Sequence, residues 1–291
     1  MGRDLPPPFA AETVYAPLRL LTRYRFHLAQ VTVREKAYAA NLVYLKASAY
    51  TAPWQAAFSD VFGPTSRAVL TEFATCEEIL AMPMADLAAW LDEHGRHHFA
   101  DPTATAQRLQ TVARDSFVLP PAFAPAINEC LAVALEQLVA RERQIHRLDA
   151  AIAARLQAIP NTLTTIPGIG PVFAAGLIAE IGDIRRFAGD DDKVAKYAGL
   201  KWRRHQSGEF EAEETPLTLH CNHYLRYYFV EAAESLRNNE PTYAAYYAKK
   251  YAEVSKHQHK RAVVLTARKL VRLVTALLTT HQPYRAGSAG E

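Results

Sequence analysis

The chain has 291 residues with 33 basic and 30 acidic side chains, so its net charge of +3 does not by itself indicate a nucleic-acid-binding protein. Apolar residues make up 49% and charged residues 22%, which excludes a disordered chain. Three cysteines without a CxxC pair exclude a disulfide scaffold and predict a reducing, cytoplasmic location.

Charge is distributed unevenly along the chain. Residues 1–50 carry seven basic and three acidic groups, residues 51–192 ten and eighteen, and residues 193–291 sixteen and nine. The C-terminal third is therefore the candidate polyanion-binding part, and a solvated basic face on a helical domain is the alternative. One uncharged run, residues 156–179, reaches membrane length, but prolines and glycines interrupt it, so we predict no membrane partner.

The first predicted element is one long helix. Apolar residues recur at three- and four-residue spacing over residues 21–45, with Glu35 as an interruption, which is the heptad pattern of a coiled-coil seam. The residues of this seam are Leu21, Tyr24, Leu28, Val31, Tyr38, Leu42 and Leu45.

A second seam lies far downstream and is interrupted by Arg141 and Arg155. Two long seams in one chain most simply pack against each other in antiparallel orientation, and two separate surface helices are the alternative. The residues of the second seam are Ile127, Leu131, Ala134, Leu138, Ile145, Leu148, Ile152 and Ile159.

Six prolines punctuate the stretch between the seams. Short amphipathic helices fit between them at 86–93 and 103–114, and Thr75 followed by Glu78 is a capping box. We therefore predict a helical insertion at about 53–121 within a first domain of residues 1–159. His94, His97 and His98 cluster in it, and exposed loop histidines are a simpler interpretation than a metal site, which needs fixed geometry.

The second predicted domain, residues 160–291, is again helical, which makes the whole chain all-α. Acidic residues 190–192 cap a short helix that ends at Gly199, and further helices cover 223–237, a segment from Pro241, and about 256–279. Just before the helix at 223–237, residues 220–223 read HCNH, which predicts a helix cap and a buried cysteine rather than a metal site. The helix from Pro241 carries four tyrosines that suit either base stacking or packing, namely Tyr243, Tyr246, Tyr247 and Tyr251.

The most informative stretch is residues 163–182, LTTIPGIGPVFAAGLIAEIG. It is the pattern of a helix-hairpin-helix, in which glycines permit a tight turn and the next helix N-terminus directs free N–H groups at a phosphate. Such a site binds DNA without sequence preference. A plain packing hairpin is the alternative.

A second constellation follows at residues 201–208, KWRRHQSG. Ser207 lies close to Arg203, Arg204 and His205, and cations near a serine nucleophile stabilise developing phosphate charge. By residue type alone, a Ser-Gly turn in a basic loop is equally acceptable. The basic side of the last helix adds Lys260, Arg261, Arg268, Lys269 and Arg272.

From about Pro6 to Tyr284 the sequence resembles the insertion sequence 110 family of bacterial transposases, also grouped as Piv-like or bridge-RNA-guided DNA recombinases. The supporting segments occur in the family's order. They are PLRLLTRYRFHLAQ, IPGIGPVFAAGLIAEIGDIRRF, KYAGLKWRRHQSG, NHYLRYYFVEAAESLR and KHQHKRAVVLTARKLVRLV.

The resemblance implies a DNA recombinase in which Ser207 attacks a DNA phosphate and becomes covalently linked to DNA. It also implies a structured guide RNA and a homo-oligomer, because the metal site comes from another subunit. The residues implied to contact DNA are Pro167, Gly168, Ile169, Gly170, Lys201, Arg203, Arg204, Lys260, Arg261, Arg268 and Lys269. Members of the family bind Mg²⁺ through carboxylates of an N-terminal RuvC-like domain.

This chain departs from the family pattern in two places. We expect the RuvC-like domain to be missing, since Asp4 is the only acid before Glu12 and no Asp-x-x-Asp occurs there, and we therefore expect no cofactor in this chain. The segment after Ser207 carries four glutamates, at 209, 211, 213 and 214, where the family is often basic. We therefore expect a protein that looks N-terminally truncated, binds nucleic acid and is inactive alone.

Two other functions are compatible with the same residues. A DNA glycosylase of the helix-hairpin-helix class places a catalytic Asp downstream of the hairpin, where Asp190–Asp192 lie. A non-catalytic helical module that binds nucleic acid, or a remnant, needs no nucleophile at all. Release of a free base distinguishes the first function, and strongly salt-dependent binding without chemistry distinguishes the second.

Overall fold

The computed structural model describes residues 12–54, 56–117, 120–201, 206–207, 210–211 and 220–286. The regular structure of these described residues is helical apart from one hairpin of two strands with two residues each, which confirms the all-α class. Contacts divide the chain into two units, which we name the insertion unit (residues 28–145) and the C-terminal unit (residues 1–27 and 146–291). The boundary after residue 159 that we inferred from the sequence stays a prediction.

The helices are α1 Glu12–Lys46, α2 Pro64–Glu72, α3 Cys76–Ala81, α4 Met84–His94, α5 Pro102–Asp115, α6 Ala124–Gln157, α7 Pro171–Ile181, α8 Asp191–Ala198, α9 His223–Asn239, α10 Pro241–Ala252 and α11 Gln258–Thr280. Short 3-10 turns lie at Ser48–Thr51, Pro121–Phe123, Leu163–Thr165 and Ile184–Phe187. Strand β1 (Gln206–Ser207) pairs antiparallel with β2 (Phe210–Glu211). None of the helices in these described ranges is both long and apolar enough to cross a membrane.

The insertion unit is built on α2 to α5 with parts of α1 and α6. The predicted helices at 86–93 and 103–114 correspond to α4 and α5. Thr75 caps α3 by accepting a hydrogen bond from the Glu78 amide, and the Glu78 carboxylate accepts one from the Ala74 amide at 2.6 Å. The apolar core is formed from all of these helices, and its fully buried members include Leu87, Leu91, Leu109, Leu131 and Leu138.

Within the insertion unit α1 and α6 are antiparallel. Arg141 donates to the Glu35 carboxylate at 3.1 Å, and Lys46 donates to Asn128 Oδ1 at 2.7 Å, so positions rise along one helix as they fall along the other. The polar interruptions of the two predicted seams, Glu35 and Arg141, therefore pair with each other. A coiled coil in the strict sense stays a prediction.

The first predicted seam is only partly buried. Leu28 and Leu42 are buried, whereas Tyr24, Tyr38 and Leu45 are exposed to 54%, 60% and 45%. The buried stripe of α1 in the insertion unit instead runs through Ala39, Leu42 and Val43, because helices α2 to α5 require a wider contact face than a two-helix seam.

The C-terminal unit has α7 at its centre. Residues 174–181 of α7 are all buried, and they pack in one core with α9, α11 and the start of α1. The apolar face of α11 belongs to this core, since Ala267, Leu270, Val271 and Val274 are fully buried. Tyr228 of α9 is also fully buried, and its hydroxyl donates to the Thr22 carbonyl at 2.7 Å.

Candidate nucleic-acid interface

The Pro-Gly turn before α7 has a defined geometry. The Ile169 amide donates to the Ile166 carbonyl at 3.0 Å, Pro167 stands at the second position, and Gly168 has φ of 81°. This is a type II turn, whose third position favours glycine. The segment before it is a single 3-10 turn, Leu163–Thr165, rather than a longer helix, and the helix-hairpin-helix assignment stays a prediction.

The two glycines of the turn have different environments. A Cβ on Gly168 would lie 2.9 Å from Asn239 Nδ2 and 3.0 Å from the Ser235 carbonyl, and the Ser235 hydroxyl donates to the Gly168 carbonyl at 2.7 Å. Gly168 therefore packs against α9. Around Gly170 no atom of the described chain lies within 4 Å of an added Cβ, and its φ of −76° is open to any residue.

The start of α7 therefore offers an open approach. Gly170 is the N-cap, no side chain caps the helix, and Pro171 follows at the first position. Gly170 and Pro167 are exposed, whereas Ile169 is buried. The first-turn amides of an uncapped helix carry partial positive charge, which suits an anionic group.

The end of α8 begins the segment that carries Ser207. Gly199 has φ of 69°, its amide donates to the Lys196 carbonyl, and the Leu200 amide donates to the Ala195 carbonyl at 2.8 Å. This is a Schellman motif, which ends the helix at the predicted glycine. Leu200 is buried and anchors the chain before it leaves the core.

The far end of the same segment is tied to the same place. The Asn222 amide donates to the Tyr197 carbonyl at 2.8 Å. Arg226 donates to the carbonyls of Ala198 and Gly199, at 3.2 Å each, and its guanidinium also contacts Cys221 Sγ at 2.9 Å. The residues that flank segment 201–220 are therefore hydrogen-bonded to each other, although the segment has 20 residues. We call this set of flanking contacts the base of the segment.

A buried carboxylate stabilises this base. Glu180, 1% exposed on α7, accepts two hydrogen bonds from Arg23, at 2.7 and 2.9 Å, and one from Asn222 Nδ2 at 2.7 Å. Asn222 also donates to the Tyr197 hydroxyl and accepts from the Leu225 amide as the N-cap of α9. The hydrogen bonds to Glu180 raise the pKa of the Arg23 guanidinium. The predicted cap at Asn222 is confirmed.

The described part of the nucleophile segment is small. Ser207 lies in β1 and pairs with Phe210 of β2, so the backbone reverses next to it. The Ser207 side chain, and the whole of Arg203 and Arg204, lie outside the described residues.

Most of the predicted DNA-binding cations of this unit already have partners inside the protein. Arg268 pairs with Asp191 at 2.7 Å and with Asp192, and Lys201 lies 3.6 Å from Asp192. The hydrogen bond from Arg268 is the main cause of the lowered pKa of Asp192. Two further cations are engaged: Arg261 pairs with Glu253 at 3.1 Å, and Lys269 lies over the rings of Tyr243 and Tyr246 at 4.9 and 4.7 Å. Lys260 is exposed, and no carboxylate of the described residues pairs with it.

The acidic run at the start of α8 has a structural role. Asp190 accepts hydrogen bonds from the amides of Asp192 and Lys193, as a helix cap does, and the next two acids pair with Arg268. Each of the three acids that could supply the catalytic Asp of a glycosylase therefore has a partner inside the protein. In the insertion unit, His94, His97 and His98 are exposed, and His97 pairs with Asp92 at 2.6 Å.

Sequence reasoning missed Glu180 and Arg226 as residues of the base. Glu180 is the one acid in the apolar stretch 171–181, and an acid on the buried side of a helix predicts a paired charge. That signal was available. Arg226 lies in a helix with many polar residues, and no feature of the sequence marked it as part of the base.

Comparisons with known proteins identify relatives for most of the chain. Residues 161–248 match the model of the transposase IS116/IS110/IS902 family. The chain is 27% identical over 280 residues to the insertion element IS116 uncharacterized 44.8 kDa protein of Streptomyces clavuligerus, which covers 96% of this chain and 67% of that protein. It is 31% identical over 139 residues to the mini-circle putative transposase for IS117 of Streptomyces coelicolor, which covers 47% of this chain and 33% of that protein.

Proposed function

Because residues 161–248 carry a transposase domain of the IS116/IS110/IS902 family, as the sequence predicted, we propose that this chain binds DNA and takes part in DNA transposition and recombination. In this proposal the turn at Pro167–Gly170 and the start of α7 contact the DNA backbone. Ser207 is the nucleophile on a DNA phosphate. Lys201, Arg203 and Arg204, which precede Ser207 in the sequence, neutralise phosphate charge.

One observation carries the proposal beyond the family match: the two ends of the segment that bears Ser207 are held together by hydrogen bonds at one base, which includes the buried Glu180 carboxylate. A nucleophile must be held against its phosphate, and a segment anchored at both ends restricts the positions open to it. The anchors come from α7, α8 and α9 together, so one rigid core supports both the segment and the Gly170 turn. A module that only bound nucleic acid would need no such anchoring.

The proposed reaction is a transesterification. The Ser207 hydroxyl oxygen forms a bond to phosphorus, the bond from phosphorus to one deoxyribose oxygen breaks, and that oxygen takes up the proton that serine releases. No oxidant or nucleotide cofactor is needed, because one phosphodiester replaces another. The covalent link is reversed when a DNA hydroxyl attacks the same phosphorus.

The Mg²⁺ that the family uses is not assigned to these residues. Among the residues that the structure describes, no group of three or more His, Cys, Asp or Glu side chains is placed to hold a metal ion. Within this chain, the proposed transesterification therefore involves only Ser207 and the cations near it in the sequence. A structured guide RNA and assembly with further copies of the chain remain part of the proposal as partners.

The role of the turn is tested with Gly170 variants. The open space and ordinary φ at this position let Ala or Glu fold without strain, so any change in binding reflects the contact with DNA. We expect Gly170→Ala to bind a fluorescein-labelled duplex about as well as the parent protein. Gly170→Glu should bind about tenfold more weakly or worse, because it places a carboxylate at the phosphate position. Equal binding by both variants overturns the proposed contact.

The role of Ser207 is tested by covalent trapping. Because the chain is expected to be inactive alone, it is incubated with an intact family member whose own serine is replaced by alanine and which supplies the metal site in trans. Duplexes from both sides of its own coding region, Mg²⁺ and RNA transcribed from the same region are added. Denatured samples are then examined for DNA that stays linked to protein, with the linked peptide identified by mass spectrometry. The expected adduct lies on Ser207 and is lost in Ser207→Ala, which still binds DNA. Ser59→Ala, at an exposed serine of the insertion unit, serves as the control. An adduct on another residue, or none, overturns the nucleophile assignment.

A further inference from the structure

The turn between α10 and α11 concentrates positive charge that the protein does not neutralise. Lys249, Lys256 and Lys260 are exposed, and no described carboxylate pairs with any of them. Glu253, the acid in this turn, is already shared between Lys250, at 2.6 Å, and Arg261, at 3.1 Å. The lysines 249, 256 and 260 therefore present an unpaired charge of about +3 at one end of the helix pair.

The two helices hold this turn in a fixed shape. Arg261 donates to the Lys250 carbonyl at 3.2 Å, Gln258 donates to the Tyr251 carbonyl at 3.3 Å, and the Tyr247 hydroxyl shares a 2.8 Å hydrogen bond with His259. These cross-links bring the lysines before and after the turn to the same end of the helix pair. A fixed arrangement of cations binds a polyanion with less loss of side-chain freedom.

The four tyrosines of α10 differ in exposure and contacts, and the rings of Tyr247 and Tyr251 lie next to each other with centroids 5.9 Å apart. Tyr243 is buried, and Tyr246 has Lys250 and Lys269 over its ring. Tyr247 has the Arg237 guanidinium 4.3 Å from its ring centre. Tyr251 is 40% exposed, and within the described chain no cation covers its ring. An exposed ring at the same end of the helix pair as unpaired lysines suits the stacking of an unpaired base while phosphates contact the cations.

We propose that the α10–α11 turn, through Lys249, Lys256, Lys260 and the ring of Tyr251, binds an unpaired nucleic-acid strand. This rests on the proposed function only in that both require nucleic acid. It assigns a separate contact, because the Gly170 turn suits the backbone of a duplex. Paired bases keep their faces inside the stack, so the ring of Tyr251 discriminates in favour of an unpaired strand.

The test compares an oligothymidine strand with a duplex of equal length, both fluorescein-labelled, by anisotropy over a range of salt. The logarithm of the binding constant for a single strand falls linearly with the logarithm of the salt concentration, with a slope of about −0.7 for each phosphate neutralised. The triple variant Lys249→Gln, Lys256→Gln, Lys260→Gln should therefore lower the magnitude of the slope by about 2. The control variant, Arg96→Gln, Arg108→Gln, Arg114→Gln, loses the same charge in the insertion unit and should keep the slope.

The ring is tested separately. Loss of a stacked base at Tyr251→Ala should weaken strand binding about fivefold or more, while Tyr251→Phe stays within about twofold. Circular dichroism shows whether each variant keeps its helices.

Each outcome decides between the two contacts. The proposal is wrong if the triple variant and Tyr251→Ala leave strand binding unchanged. It is also wrong if they weaken duplex binding as much as they weaken strand binding, because the turn then does not select an unpaired strand. If Gly170→Glu weakens duplex binding and spares the strand while the turn variants do the reverse, both contacts stand. If the chain binds neither probe, both proposals fall together.

Discussion

Gly176→Ala is the substitution that most sharply tests the packing beneath the candidate site. Gly176 lies in the interior of α7, where alanine is ordinarily favoured over glycine by about 1 kcal/mol. Nothing in its backbone conformation requires glycine. The reason for glycine is a close approach, since an added Cβ would lie 2.5 Å from Cδ2 of the Tyr228 ring.

The magnitude follows from that distance. Ordinary carbon contacts are about 3.5–4.0 Å, so ring and helix must separate by about 1 Å. The ring is fully buried and held by the hydrogen bond from its hydroxyl to the Thr22 carbonyl, so it has little room to yield. Overpacking of this kind costs about 1–3 kcal/mol and sometimes more. Set against the gain in helix propensity, we expect a net loss of about 1–2 kcal/mol of unfolding free energy.

Differential scanning calorimetry of the intact chain measures the effect. A loss of about 1–2 kcal/mol should lower the transition temperature of the C-terminal unit by roughly 2–8 °C. Gly170→Ala, where space is open, is the matched control and should shift the transition far less. In Tyr228→Ala, which removes the ring, the added Gly176→Ala should become neutral or stabilising. A stabilising effect of Gly176→Ala in the parent protein would refute the close approach.

Three further predictions concern the base of the Ser207 segment and the insertion unit. Glu180→Gln keeps the shape but removes the charge that pairs with Arg23, which is 41% exposed, so we expect a loss of only about 1–2 kcal/mol by urea unfolding, and no loss would contradict the pairing. Gly199→Ala meets both a φ of 69° and a Cβ 2.6 Å from that of Cys221, so it should cost about 2 kcal/mol or more and speed tryptic cleavage of residues 201–220; unchanged cleavage would argue against a fixed base. Lys46 lines a cavity of about 380 Å³, and burial lowers its pKa to about 8. The unfolded lysine keeps its proton up to about pH 10.4, so the unfolded state binds more protons between pH 8 and 10, and stability from this group rises with pH there. Urea unfolding from pH 7 to 10 should show that rise in the parent protein relative to Lys46→Met, and parallel curves would contradict it.

Local features of this fold follow from local sequence. Asp190 and Asn222 begin helices by accepting hydrogen bonds from amides two or three residues ahead, and the Gly199 amide ends a helix by donating to carbonyls behind it. Each end lies where the sequence predicts it. No residue of the second seam is exposed, although Ile127, Ile145 and Leu148 are only partly buried, and the coiled coil itself stays a prediction. The first seam fails at Tyr38 and Leu45, because the stripe that becomes buried depends on which helices pack against α1.

The candidate site shows the same division. The sequence identifies the Pro-Gly turn and the segment around Ser207, since both are continuous in the chain. It does not reveal that Glu180 and Asn222 hold the base of that segment, because these residues are 42 positions apart and only the fold brings them together. Charge counts were misleading for the same reason. Arg268 and Asp191 are 77 positions apart, and only their contact shows that this cation is already neutralised.

The pairing of charges changes where a polyanion is expected to bind. By composition, the basic face of α11 is the obvious surface, with Arg261, Arg268 and Lys269 in sequence order. In the folded chain each of these has an internal partner, so a phosphate must displace a carboxylate or an aromatic ring to reach it. Such an exchange gains little, because one anion replaces another. The cations that gain most from a phosphate are those with no partner, and Lys249, Lys256 and Lys260 form a group of three such cations at the end of the α10–α11 pair.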